Sequence, residues 1–253
     1  MKTTKVSGDD RVKGKLLPEL LGQLMKRFFD IIRRIEEGTL SFKQVMSQLQ
    51  EIAEGRMEIL PLKTEAGRDF DLESWETFYK KFFDINVDLS GVKIPERTDE
   101  QKKEFTRLLV IAKGLTNNQV YDACAKQFPC FRHNEDLDKS VPTNERDPKN
   151  GTYAIWVRDT VEADEVHKNK SADMIKQANL TTETLLERMI HELVYFSETG
   201  NHLDVSNVML CSGSRRSDGT VPSAGWSDGN FQVCWYFAGL ECDFLRVRKV
   251  VAI

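Results

Sequence analysis

Four histidines, His133, His167, His191 and His202, and five cysteines, Cys124, Cys130, Cys211, Cys234 and Cys242, are the side chains best suited to chemistry in this chain. Their spacing supports little of it. His191-Glu192 lacks the second histidine of H-E-x-x-H, so the zinc-protease reading fails and His191 is expected to pack or to lie on a helix surface. Gly213-Ser214-Arg215 is no nucleophile elbow, because G-x-S-x-G is absent. The chain has no P-loop and no G-x-G-x-x-G, so nucleotide binding has no support. Glu162, Asp164 and Glu165 cluster behind a strand, where carboxylates can seed a metal site or an acid–base pair. A solvated charged loop is the plainer account. Cys234 and Cys242 stand eight positions apart with no histidine nearby, which is poor metal spacing. The reading is therefore a non-enzyme, with no catalytic residue, no cofactor and no metal.

The elements that would position side chains follow from periodicity. With 253 residues, 40% hydrophobic and 30% charged, the chain suits two modest soluble domains. A net charge of -4 gives no basic footprint for nucleic acid. The longest apolar runs fall short of the roughly 20 residues of a membrane span. The first residues carry no apolar secretory core, and the odd cysteine count lacks C-x-x-C spacing. A reducing, cytoplasmic setting is expected, with no membrane and no nucleic-acid partner.

Residues 1–14 are polar and read as a flexible tail. Leu17, Leu20, Leu21, Leu24, Phe28, Ile31, Ile32 and Ile35 recur at helical steps up to Gly38, and Ser41 with Gln44 opens a second helix carrying Val45, Leu49 and Ile52. This hairpin, residues 16–55, is a candidate for docking a protein partner or for self-association. Leu72 to Phe83 suits an aromatic-faced helix, Ile85 to Leu89 a short strand and Phe105 to Ala112 a buried strand. Thr116 caps a helix whose Asp122 and lack of arginine argue against DNA recognition. Residues 15–133 thus read as a mainly helical N-terminal region, and 134–150 as loop. The third segment, 150–253, runs as strand 152–157, a short helix 171–177, a long helix from Thr184 to Gly200, strand 208–210, two hairpin strands and a last strand 245–251. First and last strands are expected to pair. The fold class is α+β.

Read with period two, the hairpin strands divide into a bulky set and an assorted set. Phe231, Val233, Trp235 and Phe237 alternate with Gln232, Cys234 and Tyr236, and Trp226 and Ala224 with Gly225 and Ser223. By this alternation Arg216, Ser223, Gly225, Ser227, Asp228, Cys234, Tyr236, Phe237, Cys242, Asp243 and Phe244 are the expected ligand-binding positions. Phe237 breaks the face rule and is included because the chain turns there.

Several stretches carry a resemblance: Cys211-Ser212-Gly213-Ser214-Arg215, Ser217-Asp218-Gly219, Val221-Pro222, Trp226, Trp235-Tyr236 and Leu245-Arg246-Val247-Arg248. With Tyr153 to Asp159 and Glu162 to Glu165 upstream, the last hundred or so residues resemble the C-terminus of variable proteins of diversity-generating retroelements. That resemblance implies a C-type-lectin-like domain over 150–253. It also implies a hypervariable surface rewritten at adenine-bearing codons by an error-prone reverse transcriptase. The lectin calcium signature and the extracellular disulfides are absent, and Tyr236 and Asn230 alone represent the Tyr/Asn-rich composition typical of such surfaces.

The leading expectation is non-enzymatic binding of a protein or other macromolecule through residues 212–244. Rigid aromatic anchors and small polar contacts would bind there with little ordering cost. Tyr236 and Phe244 would anchor, Arg216, Ser223 and Asp243 would adapt, and Arg246 and Arg248 would hold the last strand. The alternatives are a regulatory or defence-associated adaptor working through its N-terminal helices, and an enzyme on the related formylglycine-generating type of fold using Cys234 and Cys242.

Overall fold

A computed structural model describes residues 11, 12, 15, 16, 25, 28, 29, 31–33, 35, 36, 41–53 and 72–253. The chain divides into two units, Met1–Ala66 and Gly67–Ile253.

In the first unit, β1 (Arg11–Val12) pairs antiparallel with β2 (Lys15–Leu16), so the expected tail ends in a short ladder. Residues 1–10 lie outside the described residues. Positions 25, 28, 29, 31–33, 35 and 36 are helical, in keeping with the apolar repeat there. Helix α1 (Phe42–Ala53) starts directly after Ser41. The rest of the expected hairpin falls outside the described residues.

The second unit is α+β. It opens with α2 (Leu72–Phe83), whose Trp75, Phe78 and Tyr79 are buried. The Tyr79 hydroxyl donates to Val110 O at 2.6 Å and accepts from Ala112 N at 3.1 Å, which pins the helix to the strand behind it. Then come α3 (Asp99–Glu104), β3 (Arg107–Ile111), α4 (Asn117–Ala125), β4 (Cys130–Arg132), the single turn α5 (Leu137–Ser140) and β5 (Thr143–Asn144). The C-terminal half adds β6 (Tyr153–Val157), α6 (Ala172–Gln177), α7 (Leu185–Thr199), β7 (Val208–Leu210), β8 (Ser214–Arg215), β9 (Val221–Ser227), β10 (Asn230–Tyr236) and β11 (Leu245–Arg246).

Local chemistry sets the helix ends. Thr116 with Gln119 and Thr184 with Glu187 form reciprocal capping boxes that satisfy otherwise orphaned N–H groups. Gly200 closes α7 in the left-handed conformation at φ 67°.

The main sheet has the order β11-β7-β9-β10-β4. Its β7-β9-β10 centre is antiparallel, while both outer strands join in parallel. β3 and β6 form a separate antiparallel pair, with Leu109 opposite Ile155. Leu185, Met189, Ile190 and Leu193 of α7 share one core with β3, β6 and the buried face of the hairpin.

Four expectations are corrected. The boundary placed between 133 and 150 cuts through this core, because β3 pairs with β6 and β4 pairs with β10. Ile85 to Leu89 forms no strand: Asp84 turns left-handed (φ 54°) at the end of α2, and the segment has no partner strand. Residues 134–150 hold α5, β5 and a 3-10 turn at Pro148–Asn150 rather than plain loop. The last strand is shorter than expected and pairs with β7 rather than β6; the expected pairing of first and last strands is reduced to an isolated Trp156–Val251 bridge. No described helix is long and apolar enough to cross a membrane.

Candidate binding surface

The surface is built on the β9–β10 hairpin. Seven residue pairs hold it, from Asn230–Ser227 to Tyr236–Val221. Its two-residue turn takes positive φ at Asp228 (52°) and Gly229 (75°), the pattern of a type I′ turn matching the strand twist. That register fixes the faces, since a slip of one residue would invert them. Phe231, Val233 and Ala224 are buried in the main core.

A buried charge cluster clamps this underside. Glu192 on α7 accepts from Trp226 Nε1 and from His202 Nδ1, each at 2.8 Å, and from Arg188 Nη1 at 2.8 Å. Arg188 also donates through Nε to Asp204 at 2.9 Å, and Asp204 accepts from Arg248 at 2.8 Å and from Ala163 N at 2.7 Å. Arg188, Glu192 and Asp204 are fully buried. Desolvation opposes the charge on Glu192, but Arg188 and the donated hydrogen bonds hold its carboxyl below the usual range. The expected strand-holding role of Arg248 is met, because its guanidinium also donates to Thr160 O and Val161 O.

His191 lies within the helix and is fully buried, which corrects the helix-surface option and keeps the packing one. Its Nδ1 is 2.9 Å from Glu183 Oε1. Burial raises the Glu183 carboxyl to about 8 and drives His191 well below its ordinary value, so the pair is a carboxylic acid against a neutral imidazole. Enclosed in this way, it supports packing rather than solvent-facing acid–base chemistry.

The outer face of the sheet is half covered. Ala172 and Ile175 of α6 pack on Leu210, Val221 and Val247, and Tyr236 lies at the margin of this second core. The β10–β4 side stays open. There Gln232, Cys234 and Tyr236 are half-buried, and Phe131, set opposite Gln232 by the parallel pairing, is exposed.

The eleven nominated positions therefore divide. Cys234, Tyr236, Phe237, Cys242, Asp243 and Phe244 come together at the far end of β10: the Tyr236 and Phe244 rings are 6.0 Å apart, and Phe237 is 68% exposed beside Trp235. Ser227 and Asp228 are exposed at the turn, about 20 Å away along the strand. Ser223 and Gly225 are not displayed. Ser223 is 1% exposed opposite Leu210 of β7, and a Cβ at Gly225 would sit 3.1 Å from Asn207 O. Alternation assigns a face; it does not say which part of that face a loop covers. Arg216 is not adaptable either, since it donates to Asp218, Thr220 and Asn134 and stacks over Trp235.

Gln232 shares the assorted face of the alternation with Cys234 and Tyr236 but is not among the expected contacts, and no periodic apolar signal marks Phe131 or Leu240. Phe131 reaches the surface only through a strand pairing across a hundred residues. The thiols are free, and burial raises that of Cys234, which disfavours the thiolate. Among the described residues, no three His, Cys, Asp or Glu side chains group as a metal site. A concavity of about 470 Å³ lined by Lys93, Arg146, Tyr153 and Ile253 contains none of the nominated residues, and its Arg146 is held by both oxygens of Glu187. No family model, curated protein or solved structure matches this chain.

Proposed function

We propose that this is a non-enzymatic ligand-binding protein that presents a changeable surface on a C-type-lectin-like domain, as variable proteins of diversity-generating retroelements do. The surface is narrower than the sequence alone suggests: Cys234, Tyr236, Phe237 and residues 240–244, with Phe131 and Gln232 beside them. One observation carries the reading. Cys234 and Tyr236 lie on the outer face of β10, with exposed Phe237 and Phe244 in the loop that follows it, while the opposite face of the hairpin, Phe231 and Val233, is buried and clamped to α7. Such backing lets outward side chains differ without moving the backbone, and rigid aromatic anchors lose little entropy on binding. The order β6, α6, α7 and short strands, closed by the Trp156–Val251 bridge, is consistent with the lectin-like arrangement. Free cysteines fit a cytoplasmic setting.

The test is the DNA flanking the coding sequence. A near-copy of the codons for residues 212–244 is expected, differing where the copy carries adenine. The differences should fall at 234, 236, 237 and 240–244, and spare 223, 225, 231 and 233. Absence of any near-copy, or differences concentrated on the spared positions, overturns the reading.

A further inference from the structure

The first unit carries a second exposed apolar face. Met25, Phe28, Phe29 and Ile32 are 37–64% exposed and recur at i, i+3, i+4 and i+7 within the helical residues. At 3.6 residues per turn they form one stripe. Ile31 and Ile35, about 90° around the same helix, are only half-exposed. α1 repeats the arrangement: Val45 and Leu49 are half-buried, while Phe42 (63%) and Met46 (47%) are exposed. Each helix is thus apolar over a wider arc than a single neighbouring helix covers.

We propose that these outer stripes form an interface with a second copy of this chain, the stripes of the two copies packing antiparallel. Two features favour a second copy over a foreign partner. The stripe is self-complementary: in an antiparallel register Met25 meets Ile32 and Phe28 meets Phe29, as a two-fold contact requires. Its area also suffices. Six such side chains leave roughly 600 Å² of each copy to bury, about 1,200 Å² for the pair, within the range of a specific interface. None of the six carries charge. Pairing would set two ligand surfaces in one particle and raise the avidity of weak binding.

The experiment is light scattering on the full chain at about 50 µM. Twice the 29.1 kDa chain mass is expected. Phe29→Gln with Ile32→Gln should weaken dimerisation about 100-fold, and Met25→Gln alone about 10-fold. Phe237→Ser on the β10 surface should leave the mass unchanged. A monomeric wild-type chain overturns the proposal. So does a dimer dissociation constant, read by diluting the chain, that the double substitution leaves within about threefold of the wild type, or a dimer lost through Phe237→Ser.

Discussion

Asp204 is where the reasoning about the clamp is most exposed to test. Its two oxygens serve Arg188 and Arg248, and it has no solvent contact. It also adopts φ 53°, which asparagine tolerates and alanine does not, so Asp204→Asn removes charge without adding backbone strain. The variant keeps one carbonyl oxygen as acceptor and turns an amide N–H₂ toward a guanidinium. Removing one partner of a buried ion pair costs about 3–5 kcal/mol, because the remaining charge stays buried and uncompensated. The retained acceptor places Asp204→Asn at the low end, about 3 kcal/mol. At a urea dependence of about 2–3 kcal/mol per molar, the unfolding midpoint should fall by roughly 1 M. Circular dichroism read against urea measures it. A midpoint within about 0.2 M of the wild type would refute the claim that this cluster holds the hairpin to α7.

Glu183→Gln should flatten the pH profile of stability. The carboxyl titrates ordinarily at 4.5 and at about 8 when folded, so its contribution is complete below pH 4.5 and lost as pH rises through 8. Urea midpoints at pH 5, 6.5 and 8 that run parallel in the two proteins would contradict this. Gly213→Ala should destabilise strongly, by about 2–3 kcal/mol, since its Cβ would lie 2.7 Å from Thr182 O on a backbone with little room to retreat; Gly225→Ala should cost about 1 kcal/mol, and equal midpoints for both would argue against the close approach. Phe237→Ser should change stability by less than about 0.5 kcal/mol, a larger loss on thermal unfolding indicating a structural role for the ring.

What the chain discloses about itself follows the range of the interactions. Thr184 with Glu187, Thr116 with Gln119 and Gly200 mark helix ends through contacts four residues or fewer apart, and each stands where the sequence places it. The β9–β10 hairpin is equally local. Cys130 to Arg132 is not: three residues show no period, and their partner, Phe231 to Val233, lies a hundred residues on. For the same reason the sequence separates a C-terminal segment from residues 72–133, although the core does not. At the surface, alternation correctly puts Cys234 and Tyr236 opposite Val233, but Ser223 lies under the part of the sheet that β7 and α6 close off.

The parallel seam between β4 and β10 has a bearing on how this protein can be cut. A fragment starting at residue 150 would keep every nominated position yet strip the outer flank, Phe131 included, from β10, baring the backbone groups of Phe231, Gln232 and Val233 that β4 now occupies. Such an open rim recruits strands from other molecules. The polypeptide that carries the recognition positions is therefore shorter than the polypeptide needed to keep them soluble.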